Sequence, residues 1–330
     1  MIIAEAGVNH NGDIDMARRM VAEARKAGAD YVKFQTAVPE LVISQFAPKA
    51  EYQKETTGSA ESQLDMCRAI HLPLSDYAGL ASLCRSEGIG FMSTPFDLVS
   101  IDCLADIGMD YWKIPSGEIT NLPYLRKIGA LGGKVIMSTG MSTLDEVKDA
   151  VEILERAGTP RCNIWLLHCT TQYPAPYESV NLRAMDALAT LGCAGVGYSD
   201  HTIGSDVAVA AVGRGAVVIE KHFTLDRTLP GPDHKASLEP YELAELVRRI
   251  RIAEAALGSG IKKVAQAESG NIAVARKSIV AARDIEAGEL LTEENITVKR
   301  PGNGISPMRW DEIVGSRAIR NFSYDELIEV

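Results

Sequence analysis

Tyr31-Val32-Lys33-Phe34-Gln35 is a short, mostly apolar run with a period of two, so Tyr31, Lys33 and Gln35 share one face and Val32 and Phe34 the other. A strand that is apolar towards one layer but carries an ammonium on its second face fits the wall of a closed barrel, with the lysine turned to the interior. Runs of similar length flank it. They are Ile2–Ala6, Gly90–Ser93, Tyr111–Ile114, Val135–Ser138, Ile164–His168, Gly195–Tyr198 and Val217–Lys221, with helical patterns such as Met16–Ala27, Leu144–Ala157 and Glu242–Leu257 between or after them. Eight such units predict an α/β chain folded as a closed (β/α)8 TIM barrel. An open doubly wound sheet would usually carry fewer strands and a Gly-x-Gly-x-x-Gly turn after the first, and no such motif is present. Residues 36–74, with Ala47-Pro48-Lys49 and Thr56-Thr57-Gly58-Ser59, exceed an ordinary βα loop and are expected to form an excursion over the barrel mouth.

Beyond these units the rhythm changes. After Gly258-Ser259-Gly260, a polar stretch separates the barrel (1–260) from a turn-rich tail, giving a linker (261–273) and a small β-rich domain (274–330) with strands at Ser278–Ala281 and Ile296–Lys299. A unit of roughly sixty residues has a marginal core and is expected to dock on its own barrel or on a partner subunit. The net charge of −10 over 330 residues disfavours nucleic acid and anionic membrane as partners, though not a local cationic pocket. There is no signal-like N-terminus and no run long enough to span a bilayer, so a cytoplasmic protein is expected. Six scattered cysteines without a Cys-x-x-Cys predict reduced thiols rather than a disulfide framework.

In such a barrel the C-terminal ends of the strands form the active face. Polar residues collect there: Glu5, Lys33 and Gln35, Thr94, Lys113 followed by Ser116 and Glu118, Ser138, His168, Ser199 with Asp200 and His201, and His222. A buried ammonium is costly unless it meets an anion, so Lys33 and Lys113 point to a phosphate or carboxylate ligand. The competing reading is a purely structural pair of bridges to Glu5 and Glu118. His201 and His222 end adjacent strands and form a natural pair of ligands for a divalent metal, with Asp233 or Glu118 acting through water; alternatively, one histidine is a general acid or a core residue. His10 and His234 are expected in loops at the same face, and His71 away from it.

The motifs resemble those of the sialic acid (N-acetylneuraminate) synthase family, which includes legionaminic and pseudaminic acid synthases. The likeness runs through Ile3-Ala4-Glu5-Ala6-Gly7-Val8-Asn9-His10-Asn11-Gly12, Val32-Lys33-Phe34-Gln35-Thr36, Ser93-Thr94-Pro95-Phe96, Lys113-Ile114-Pro115-Ser116-Gly117-Glu118, Ser138-Thr139-Gly140-Met141, Ser199-Asp200-His201-Thr202 and Glu220-Lys221-His222-Phe223-Thr224. The tail from Val274 resembles the family's antifreeze-like (SAF) domain, named for a fish ice-binding fold. The resemblance implies condensation of phosphoenolpyruvate with an N-acetylated amino sugar in a domain-swapped homodimer. It also implies that Lys33, Thr94, Lys113, Ser116, Ser138 and Ser199 surround phosphoenolpyruvate, and that His201 and His222 hold Mn²⁺, with Mg²⁺ or Co²⁺ as substitutes. Gln35, Tyr173, Asp233 and a partner's Arg300 would line the sugar. Glu118, Glu5 and Lys113 are the expected catalytic groups, Glu118 for proton transfer. No role is carried to Thr171, where family members can have asparagine.

N-acetylmannosamine, giving N-acetylneuraminate, is the expected acceptor. The alternative is a 2,4-diacetamido-2,4,6-trideoxyhexose, giving legionaminate or pseudaminate. Other readings are a Schiff-base aldolase using Lys33 or Lys113 and, from the tail alone, an ice- or carbohydrate-binding protein.

Overall fold

The computed structural model describes residues 1–49 and 62–330. Thr56-Thr57-Gly58-Ser59 lie outside them. Eight parallel strands run β1 (Ile2–Gly7), β2 (Tyr31–Thr36), β3 (Gly90–Pro95), β4 (Tyr111–Ile114), β5 (Lys134–Ser138), β6 (Ile164–Cys169), β7 (Gly195–Asp200) and β8 (Ile219–His222). Their order is β3-β2-β1-β8-β7-β6-β5-β4, and the two end strands of that order lie side by side, closing the expected TIM barrel.

Each strand is followed by at least one helix, and the helix boundaries follow from local chemistry. Asp13 caps the helix Ile14–Ala27 by accepting from the amides of Asp15 and Met16, and left-handed Gly28 ends it. Thr143 and Glu146 form a reciprocal capping box on the helix Leu144–Ala157. The buried faces of these helices join Val32, Phe34, Val135, Met137 and their neighbours in one large core outside the strand ring.

Inside the ring, strand alternation builds two layers. Ile3, Met92, Ile136, Leu167 and Val218 form an apolar floor, with Tyr31 and Tyr111 packed against it. Gly197 completes this layer on β7, because a Cβ there would stand 2.3 Å from the Val218 carbonyl oxygen. Two residues further along each strand come Glu5, Lys33, Thr94, Lys113, Ser138, Cys169, Ser199 and Glu220, and all eight line the cavity above the floor. Thus a period of two turns an apolar plug into a polar chamber within two residues along each strand.

Strand β8 starts two residues later than Val217–Lys221 would have it. Pairing to β1 matches Ile2 with Ile219 and Glu5 with His222, which draws His222 into the ladder itself. The described part of the excursion after β2 contains short helices Pro39–Val42 and Gln63–Ile70, the latter capped by Ser62.

The chain divides into two compact units, Met1–Gly258 and Ser259–Val330. Within the second, β9 (Ser278–Ala281) and β10 (Ile296–Lys299) pair antiparallel over a core that includes Ile279, Ile285, Leu291, Ile313, Phe322 and Ile328. The stretch 261–273 is not wholly extended: a helix, Ser269–Ala275, begins within it. No helix among the described residues is long and apolar enough to cross a membrane.

Candidate active site

The chamber above the apolar floor is a cavity of about 420 Å³ at the C-terminal ends of the strands. Lys33 enters from β2 and Lys113 from β4, on either side of β3, each only 3% exposed. The Lys33 ammonium lies 2.6 Å from Glu5 and 3.8 Å from Glu220, and it donates to Thr94 at 2.9 Å. The Lys113 ammonium lies 3.4 Å from the same Glu220 oxygen and donates to Ser138 at 2.7 Å. Ser199 donates to that oxygen at 3.2 Å, while the second Glu220 oxygen is buried without a hydrogen-bond partner. Burial pushes the Glu220 carboxyl up, but Lys113 and Lys33 outweigh it and hold the group below its ordinary value. Burial also lowers Lys113, and it raises Glu5 against the pull of Lys33. The two ammonium groups therefore face two carboxylates in a chamber shielded from water. An incoming anion must either displace those carboxylates or make one take up a proton.

On the adjoining wall the rings of His201 and His222 stand 5.5 Å apart, with Tyr173 at 4.2 Å from His201 and edge-on to His222. His201 Nδ1 meets the Thr170 carbonyl at 2.6 Å, which fixes the tautomer and turns Nε2 away as an acceptor. Burial lowers His201 to about 4 and holds His222 well below its ordinary value, helped by His201 and the nearby lysines, so both rings are neutral at pH 7. Nδ1 of His222 is buried and has no partner. Two neutral imidazoles on one wall, with the Ser199 hydroxyl 3.5 Å from His201 Nε2, suit a borderline divalent cation whose remaining positions would be filled by water or substrate. The described residues contain no cluster of three or more His, Cys, Asp or Glu able to hold such an ion.

Residues 20–262 match the NeuB family model and residues 276–329 the SAF domain model. The chain belongs to the NeuB family. It is 52% identical to an N,N'-diacetyllegionaminic acid synthase of Campylobacter jejuni over 99% of this chain and 98% of the relative. It is 47% identical to the enzyme of the same name from Legionella pneumophila, over 98% and 91%. Among solved structures, the N-acetylneuraminic acid synthetase of Leptospira borgpetersenii, in complex with citrate, is 34% identical with a TM-score of 0.71. That alignment covers 82% of this chain and 89% of the other.

Within this NeuB-family barrel, Glu5, Lys33, Gln35, Thr94, Lys113, Ser116, Ser138, Tyr173, Ser199, His201, His222 and Asp233 all line one cavity. Gln35 donates to Glu5 at 3.0 Å, and Ser116 accepts from the Gly140 amide at 2.9 Å. Three expectations need correction. Glu118 is not among the lining residues: it sits on a single 3-10 turn after β4 and accepts from Asn121, the cap of the next helix, at 2.6 Å. The second acid of the lysine pair is Glu220 instead. His71 does line the cavity, because the helix Gln63–Ile70 delivers it there. His168, though at a strand end, is turned to the Val180 carbonyl at 2.6 Å and does not line this cavity. Arg300 belongs to the second unit, where its Nε donates to the Ala275 carbonyl at 3.1 Å. Glu220 could have been read from the sequence, since it stands two residues before His222 on the same strand face.

Asp233 is raised to about 7 by burial, with Glu5 adding to the effect. A neutral carboxyl here can donate a hydrogen bond to a sugar oxygen. It also carries a stability signature. Unfolded, the group loses its proton near pH 4, so between roughly pH 4 and 7 the folded chain holds more protons than the unfolded one. The contribution of Asp233 to stability is therefore greatest below that window and falls as pH rises through it, by on the order of 4 kcal/mol for a shift of about three units. Asp233→Asn is expected to flatten this slope. Urea midpoints of the barrel transition at pH 5 and pH 7.5 check it: equal pH dependence in both proteins would contradict the assignment.

Proposed function

We propose that this NeuB-family protein condenses phosphoenolpyruvate with a 2,4-diacetamido-2,4,6-trideoxyhexose and water, giving N,N'-diacetyllegionaminate and phosphate. The observation that carries the reaction class is the pairing, in one cavity, of a two-lysine anion site with two neutral imidazoles. The acceptor rests on similarity: two legionaminic acid synthases match at 52% and 47%, against 34% for the N-acetylneuraminic acid synthetase. These favour the diacetamido sugar over N-acetylmannosamine, which remains the second reading.

Phosphoenolpyruvate sits with its anionic groups on Lys33 and Lys113, supported by Thr94, Ser116, Ser138 and Ser199. Gln35, Tyr173 and Asp233 line the acceptor side. His201 and His222 would hold a divalent ion, Mn²⁺ in our reading, which when bound would supply Lewis-acid polarisation to the acceptor side. C3 of phosphoenolpyruvate forms a bond to the aldehyde carbon, whose oxygen takes a proton and becomes a hydroxyl. Water adds to C2 and gives up a proton. The bond between C2 and the phosphate oxygen then breaks, the electron pair leaves with phosphate, and the C2 hydroxyl loses its proton to become the ketone. The lysines stabilise the departing anion, and Glu220, which takes up a proton from solvent as the ligand's negative charge raises its proton affinity, returns that proton to the leaving phosphate. In our reading the protein is cytoplasmic and forms a domain-swapped homodimer in which Arg300 of the partner subunit reaches the sugar.

Phosphate release with each acceptor tests the choice. The trideoxy sugar is expected to give a kcat/KM about 10–200-fold above that of N-acetylmannosamine, the range that a methyl or hydroxyl difference supports. Equal or better turnover of N-acetylmannosamine would reverse the assignment.

A further inference from the structure

We infer that the Lys221–Asp200 ion pair, on the far side of the barrel wall from the cavity, is a positioning device for the two imidazoles. The inference rests on the reading of His201 and His222 as metal ligands. Ser199 pairs with Glu220 across β7 and β8 and both face the cavity; the next pair in register, Asp200 and Lys221, is turned to the opposite face and does not line it. Both side chains are fully buried, 0% exposed. The Lys221 ammonium donates to Asp200 Oδ2 at 2.9 Å and also to the Thr202 carbonyl. Asp200 Oδ1 accepts from the Thr202 amide at 2.9 Å, from the Thr202 hydroxyl at 2.8 Å and from the Tyr198 hydroxyl at 3.2 Å.

The residue between these anchors is His201. Its peptide neighbours on both sides are tied to one ammonium, and the residue that carries the ammonium is the neighbour of His222. One ion pair thus couples the two strand ends whose imidazoles stand 5.5 Å apart. Stability alone is a weak reason for such a pair, since well-packed apolar residues often serve equally well in its place. What an apolar pair lacks is any hold on the amide and carbonyl of Thr202. Groups behind metal-ligating histidines generally set ring orientation, and losing them weakens metal binding about 10–100-fold.

The test uses the double variant Asp200→Asn/Lys221→Met in the full-length protein, which removes both charges together and leaves an amide oxygen to accept from Thr202. Thr202→Val, a near-isosteric change that deletes only the hydroxyl contact, serves if the double variant folds poorly. Free Mn²⁺ is followed by EPR during titration of the metal-free protein, alongside the KM for phosphoenolpyruvate and the melting temperature. The double variant is expected to bind Mn²⁺ about 10–100-fold more weakly, and Thr202→Val a few-fold more weakly, with the KM for phosphoenolpyruvate held within about twofold. A loss of melting temperature with Mn²⁺ affinity unchanged would reduce the pair to packing and overturn the inference. If the parent protein takes up no Mn²⁺, the metal reading itself fails, and the inference with it.

Discussion

Glu220→Gln is expected to lower kcat about 10²–10⁴-fold while leaving the KM for phosphoenolpyruvate unchanged or reduced. Glu220 occupies the point between Lys33 and Lys113, at 3.8 and 3.4 Å, where a ligand's anionic group is to be received. With the cavity free of ligand, its charge keeps the two ammonium groups tolerable in a buried site. When a trianionic ligand arrives, the same charge becomes repulsive and the carboxyl gains affinity for a proton. That proton is then held beside the phosphate that must leave. Glutamine keeps the shape and can still accept from Ser199, but it neither repels the ligand nor carries the proton. Binding should survive or tighten, and turnover should fall. Steady-state kinetics separate the two effects, and a raised KM with unchanged kcat would show that Glu220 only organises the lysines.

Chelation should be the second large effect. EDTA is expected to abolish phosphate release and Mn²⁺ to restore it, while His201→Ala and His222→Ala should each lose about 10³-fold or more, the scale of several kcal/mol of Lewis-acid stabilisation. Borohydride treatment with substrate provides the opposing arm. Activity that resists EDTA but is lost on reduction would place a Schiff base on Lys33 or Lys113 instead. Lowering of the Lys113 ammonium by burial makes that alternative chemically meaningful, and so worth testing.

The barrel was legible because strand alternation is a local property. Once Lys33 is known to share a face with Tyr31 and Gln35, the same rule applied to each strand identifies the residues that sit above the apolar floor. It also assigns Glu220 and His222 to one face. What misled was proximity in the chain: Glu118 lies five residues after Lys113, yet β4 ends before it and a helical turn directs it to Asn121. Glu220 lies more than a hundred residues away and reaches Lys113 only through closure of the ring. The same holds for His71, which arrives at the cavity on a helix that no periodicity connects to β1.

By itself, then, the order of residues determined which side chains face inward and at what depth, because the two-residue repeat is set by the backbone of each strand alone. Only the tertiary structure decided which of those inward groups meet. Lys33, Lys113 and Glu220 come from β2, β4 and β8, and their distances depend on the curvature that brings those strands around a common interior. The balance of charge in the cavity is a property of the closed ring, since electrostatic interaction depends on separation in space and not along the chain.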